Sequence, residues 1–240
     1  MAYAATPAPN PALWLAVSKG KTDVARQLLL GGANIEERGQ IGYGLCTPLQ
    51  IAVTANHVKV VQLLLEHGAD FSVTCMMLNF STSLHEAALL DFGSVARLLL
   101  QHGADVSARD DFGNTPLDTT ARKGLADLAE LLLQHGSDVY NKDTDGMTAL
   151  HWAASCGNEA MVLMLLQHRS NVMAETHAGQ TAESLATTNT HHDVVAILQA
   201  EAVTRAKCVA SAMGNHERLG VGSRVQSLHP EVVRMVLEYV

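Results

Sequence analysis

One pattern recurs six times along this 240-residue chain at nearly constant spacing, and no other feature restricts the fold as tightly. Four blocks open with Thr47-Pro48-Leu49-Gln50, Thr82-Ser83-Leu84-His85, Thr115-Pro116-Leu117-Asp118 and Thr148-Ala149-Leu150-His151. They close with the Leu-Leu runs that lead into His67-Gly68-Ala69-Asp70, His102-Gly103-Ala104-Asp105, His135-Gly136-Ser137-Asp138 and His168-Arg169-Ser170-Asn171. Degenerate copies begin at Pro11 and Thr181, so starts at 11, 47, 82, 115, 148 and 181 give steps of 36, 35, 33, 33 and 33. A unit this short leaves an apolar face uncovered when alone, so it must be stabilised by stacking on its neighbours.

Within a block the residues dictate two short helices. In the third, Thr82 caps a helix carrying Leu84, Ala87 and Ala88, a turn spans Asp91 to Gly93, and a second helix bears Val95, Leu98, Leu99 and Leu100. Turn positions Gly20, Asn56, Asp91, Gly124 and Gly157 hold residue types that tolerate positive φ, and Gly32, Gly68, Gly103 and Gly136 supply a C-terminal stop. Arg169 replaces that stop in the fifth block, where a weaker or reshaped exit is expected. Glu183 replaces the usual Leu in the sixth and Pro11-Ala12 replaces Thr-Pro in the first, as suits terminal caps.

The unit length and the Thr-Pro-Leu-His opening resemble the ankyrin repeat family over residues 11–203. The resemblance implies an all-α ankyrin-repeat solenoid of stacked helix-turn-helix units with β-hairpin fingers. It also implies that His85 and His151 bond backbone across a turn. Residues 1–10 are expected to form a flexible Ala/Pro tail, and 204–240 a helical extension. The two long steps place added residues in the fingers at Gly39 to Cys46 and Ser72 to Ser81. The last second helix is expected to run from near Asp193 to Met213 and stop at Gly214.

Several chemistries fail on spacing. His85-Glu86 lacks a second His four residues on, Gly20-Lys21-Thr22 lacks the earlier glycine of a phosphate loop, and no Gly-x-Ser-x-Gly elbow occurs. Cys46, Cys75, Cys156 and Cys208 are far apart and form no metal-ligand spacing. His67, His102, His135 and His168 share one repeat position near a helix end, where an imidazole meets orphan carbonyls. His191-His192-Asp193 sits at an inter-helix turn, a structural place more than a metal site. Neither catalysis nor a cofactor is expected.

Charge weighs against nucleic acid. Residues 1–200 hold 11 basic and 20 acidic side chains, a net −9, with the basic ones scattered; residues 201–240 hold 5 and 4. No apolar run approaches the roughly 20 residues of a membrane helix. A monomer in the cytoplasm or nucleus is expected, with a protein or peptide partner on its concave finger and inner-helix face.

Residues outside the repeat framework concentrate at the finger tips. The candidate partner-binding residues are Gln40, Tyr43, Met76, Met77, Asn79, Phe80, Asp110, Asp111, Phe112, Asn114, Lys142, Asp143, Thr144, Asp145 and His177. Aromatic and Met anchors rimmed by carboxylates suit a partner that presents apolar and basic side chains. The Asp and Asn members are also residues that turns require. Leu228 to Val240 reads first as a helix that packs on the last repeat as a cap; the alternative function rests on its similarity to the opening helix of an F-box. That resemblance implies a substrate-recognition subunit of a ubiquitin ligase with 228–240 as docking element.

Overall fold

The computed structural model describes residues 11–41, 44–74 and 81–218. They form six helix pairs. The first helices are α1 (Pro11–Ser18), α3 (Pro48–Thr54), α5 (Ser83–Leu89), α7 (Pro116–Lys123), α9 (Ala149–Ser155) and α11 (Ala182–Thr188). The second helices are α2 (Thr22–Leu30), α4 (Val58–Glu66), α6 (Gly93–Gln101), α8 (Ala126–Gln134), α10 (Glu159–Gln167) and α12 (His192–Arg218). Strands β1 (Gly39–Ile41) and β2 (Gly44–Cys46) pair antiparallel, with Gln40 opposite Leu45. The inserted residues of the first finger therefore build a hairpin. The insertion of the second finger, 75–80, lies outside the described residues.

Each pair follows from its opening residues. In α3, Thr47 Oγ1 accepts the Gln50 amide at 3.3 Å while Gln50 Oε1 accepts the Thr47 amide at 2.9 Å. Two donors at the helix start are thereby satisfied, and Pro48 occupies a position whose N–H would go unused. Packing is set by one small and one large residue per unit. Ala52 and Ala87 let α3 and α5 approach, as Ala153 and Ala186 do for α9 and α11, while Leu64 and Leu99 fill the seam of α4 and α6 and Leu165 and Leu198 that of α10 and α12, all fully buried.

The chain divides into two compact units. One holds the described residues up to Thr120 together with Asp127–Asp138. Inside it α1, α3 and α5 pack in sequence, as do α2, α4 and α6. The other holds Ala121–Ala126 together with the residues from Val139 onward, where α9 packs on α10 and α11 and α12 covers α10 and α11.

One expectation is narrowed and another needs correction. Arg169 takes a positive φ, +63°, as the stop glycines of the other repeats do, and its amide bonds Leu166 O at 2.9 Å, so the exit is not reshaped, while the strain on a non-glycine residue agrees with a weaker one. Helix α12 does not stop at Gly214 but continues to Arg218. A single helical glycine costs only about 1 kcal/mol, and the surrounding Ala, Met, Glu and Arg favour helix. Among the described residues, no helix is long and apolar enough to cross a membrane.

The inter-helix turns carry an unforeseen coupling. Where the turn residue is Gly, the following repeat lays a polar side chain on it: His57 on Gly20, Asn158 on Gly124 and His191 on Gly157. Each also reaches a carbonyl just before that glycine: His57 Nε2 to Ser18 O at 3.2 Å, Asn158 Nδ2 to Ala121 O at 2.8 Å, His191 Nε2 to Ser155 O at 3.1 Å. Where the turn residue is Asn56 or Asp91, the equivalent following residue is Phe92 or Leu125. The absence of a Cβ thus makes room for a hydrogen bond between repeats.

Candidate functional site

Three finger tips share one geometry that comes from their first, fourth and fifth residues. In 110–114, 143–147 and 176–180 the first amide bonds the fifth carbonyl (3.0, 2.9 and 2.9 Å) and the fourth amide bonds the first carbonyl (2.9, 3.1 and 3.0 Å). The fourth residue is Gly113, Gly146 or Gly179 at φ between +72° and +79°, which a two-way reversal this tight requires. The first side chain closes the tip. Asp110 Oδ1 accepts the amides of Phe112 and Asn114, Asp143 Oδ1 those of Asp145 and Met147, and Thr176 Oγ1 that of Gln180.

This arrangement sorts the predicted site residues. Asn114 (5% exposed) and Asp143 (7% exposed) are buried, and Asp110 is half-buried. The polar atoms of the first two hold the turn, and Asn114 O receives His85 Nε2 at 3.0 Å. Asp111, Phe112, Lys142, Thr144, Asp145 and His177 are exposed, Phe112 at 54%. In the second unit Lys142 Nζ donates to Glu175 O at 2.8 Å and the His177 amide to Asp145 O at 2.9 Å, which tie one tip to the next. Gln40 lies in β1, while Tyr43, Met76, Met77, Asn79 and Phe80 lie outside the described residues, as does 228–240.

Behind the tips, the residue after each signature position differs in every unit: Ile51, Glu86, Thr119, Trp152. Trp152 escaped the sequence reading. Its indole N–H donates to Asp143 Oδ2 at 3.1 Å, and the Arg122 guanidinium lies 5.4 Å from its ring centroid. Aromatic and cation are half-exposed and exposed, held in place by the tip's own carboxylate. Variation at one register position between otherwise matched repeats was the available signal.

The signature histidines are the buried polar anchors. Thr82 and Thr148 amides donate to Nδ1 of His85 and His151 at 3.3 and 3.1 Å, so Nε2 carries the ring proton and donates to Asn114 O and to Ala174 O (2.9 Å). Gln50 performs the same two tasks, its Nε2 reaching Val73 O at 2.9 Å. Burial pushes both imidazoles below their ordinary pKa, against the carbonyl bonds that favour the charged ring. His67 and His102 Nδ1 each face the carbonyl four residues back, at 2.9 Å.

Glu86 differs. It is buried, Oε2 has no hydrogen-bond partner, and burial pushes its carboxyl above the ordinary value while the Thr54 hydroxyl pulls it down. The signs oppose. The lowered histidines contribute stability that is complete above 6.5 and is lost as pH falls through their native values. The raised glutamate contributes stability below 4.5 that is lost as pH rises through its native value. Glu86→Gln, which cannot ionise, is therefore expected to be about 1–2 kcal/mol more stable than the native protein at neutral pH. That gain should vanish near about pH 4, where both are neutral. Denaturant melts at the two pH values check this; an equal gain at both would refute it.

Comparison with known proteins agrees with the geometry. A family model described as ankyrin repeats in three copies matches residues 6–75, 72–143 and 120–208. An ankyrin repeat-containing protein of Schizosaccharomyces pombe is 34% identical over 64 residues, 27% of this chain and 30% of that protein. An ankyrin repeat and KH domain-containing protein of Caenorhabditis briggsae is 37% identical over 79 residues, 33% of this chain and 3% of that protein. The chain thus aligns with less than a third of the length of either relative. The crystal structure of an ankyrin repeat domain from Acinetobacter baumannii superposes with a TM-score of 0.72 at 23% identity, over 80% of this chain and 97% of that one. Repeats of this kind are in general protein–protein interaction modules and typically not enzymes. With the family model covering most of its length and the cap, seam and finger geometry in place, the chain belongs to the ankyrin repeat family.

Proposed function

We propose that the protein is a non-enzymatic adaptor that binds a partner protein or peptide through its finger tips and the adjoining first helices. The observation that supports this is the division of labour within the tips. Their first, fourth and fifth residues supply the turn, while the second and third, Asp111 and Phe112, Thr144 and Asp145, are displayed to solvent. An exposed aromatic beside carboxylates matches a partner with apolar and basic side chains, and Trp152 with Arg122 offers a second anchor of the kind that dominates interfaces.

Affinity capture followed by mass spectrometry identifies partners; binding is then measured for Phe112→Ser and Asp145→Lys. Each variant is expected to weaken binding at least about tenfold, or about 1.4 kcal/mol, with an unchanged melting temperature. Met77→Ser plus Phe80→Ser tests the second finger in the same assay. Unaltered affinity in all three folded variants would remove the tips from the site.

A further inference from the structure

The seventh residue after each opening position, at the end of the first helix, is uncharged in five of the repeats: Ser18, Thr54, Leu89, Ser155 and Thr188. In α7 it is Arg122, followed by Lys123, the one place in residues 1–200 where two basic residues adjoin. Both are exposed. The guanidinium lies 5.4 Å from the Trp152 ring centroid, and its backbone is held from the next repeat, because Asn158 Nδ2 donates to Arg122 O at 3.2 Å. The neighbouring carboxylate is already spent. Asp143 is buried, its Oδ1 accepting the Asp145 and Met147 amides and its Oδ2 the Trp152 indole N–H. Among the described residues the Arg122 guanidinium makes no ion pair and no hydrogen bond, so its N–H donors face solvent. The indole, with its N–H taken, offers an occupant only its ring.

We infer that Arg122 and Trp152 form a recognition site for an acidic side chain of the partner, a glutamate or aspartate next to an apolar residue. A guanidinium stacked on an aromatic face keeps the edges of its planar fork open, and that fork matches the two oxygens of a carboxylate. Stacking also holds a long side chain in place before the partner arrives, so less freedom is lost on binding. The apolar neighbour covers what remains of the half-exposed indole, and Lys123 adds to the attraction. This inference rests on the adaptor reading and deepens it. Exposed Asp145, at the tip of the same unit, calls for a basic residue, whereas Arg122 calls for an acidic one. A segment bound here therefore carries opposite charges at its two contacts, and reversing it sets like charges against each other at both.

The test selects a displayed library of random peptides against the full chain and against Arg122→Glu, an exposed change expected to leave the melting temperature unaltered. Peptides taken by the native chain are expected to share an acidic residue beside an apolar one, and those taken by Arg122→Glu to lose it. A double-mutant cycle on one selected peptide follows, with affinity read by fluorescence polarisation. Arg122→Gln, or glutamine in place of the peptide's acid, is expected to weaken binding about tenfold, and the two together no further. Arg122→Lys, which keeps the charge without the fork, should fall between native and Arg122→Gln. Selected peptides that share no acid, or additive losses in the cycle, would overturn the site and leave the adaptor reading standing. Failure of every chain to select any peptide would overturn both. Phosphoserine in place of the acid, if it bound at least about tenfold more tightly, would assign the site to a phosphate and overturn the carboxylate.

Discussion

Replacing His151 with Leu is expected to destabilise the second unit by about 3–5 kcal/mol, one of the two largest effects of any single change considered. The imidazole is fully buried and serves four groups at once: Nδ1 accepts the Thr148 amide and hydroxyl at 3.1 and 2.9 Å, and Nε2 is shared between Ala174 O and Gln180 O at 2.9 and 3.2 Å. Leucine has comparable volume, so little cavity forms. The loss comes from leaving two donors and a carbonyl buried without partners, each costing about 1–3 kcal/mol. His151→Gln separates bonding from shape. Gln50 already caps Thr47 and reaches the finger carbonyl of Val73 in the second repeat, so glutamine is expected to cost only about 1 kcal/mol. Urea unfolding followed by circular dichroism checks both. A leucine variant within 1 kcal/mol of the native protein, on the order of experimental scatter in such melts, would show that the cap and the finger bond are dispensable.

The second large effect is expected at Gly157→Ala. The turn requires φ +73°, which costs an L-residue about 1 kcal/mol, and the new methyl group would stand 2.6 Å from His191 Nδ1. That ring cannot simply swing aside, because its Nε2 is bonded to Ser155 O. Strain and overlap together are expected to cost about 2–4 kcal/mol. Adding His191→Ala removes the overlap and the bond but not the backbone strain, so the double variant should be more stable than Gly157→Ala alone. Were the two changes additive, the imidazole would not be packed on the glycine.

The helix caps, the seam leucines and the positive-φ turns were legible because each depends on residues within a few positions of one another. That His85 bonds backbone was implied by the resemblance, whereas its acceptor, Asn114 O in the next finger, is seen only in the structure. Asn114 and Asp143 stand among the candidate contacts because the chemistry that binds a partner, an exposed carboxylate or amide, is also the chemistry that closes a turn. Only burial separates the two. Trp152 was overlooked because an aromatic on an apolar helix reads as core. Its half-exposed placement beneath Arg122 depends on side chains 9 and 30 positions away, Asp143 and Arg122.

By itself, the sequence determined the repeat length, the number of units, the helix pair in each, and the residues that cap and stop them, because these are local hydrogen-bonding and steric requirements copied six times. The tertiary structure alone decided which tip residues face solvent, and that Arg169 would hold a left-handed conformation rather than reshape its exit. Those outcomes depend on what a neighbouring repeat places against a given side chain, which a local pattern copied along the chain does not record.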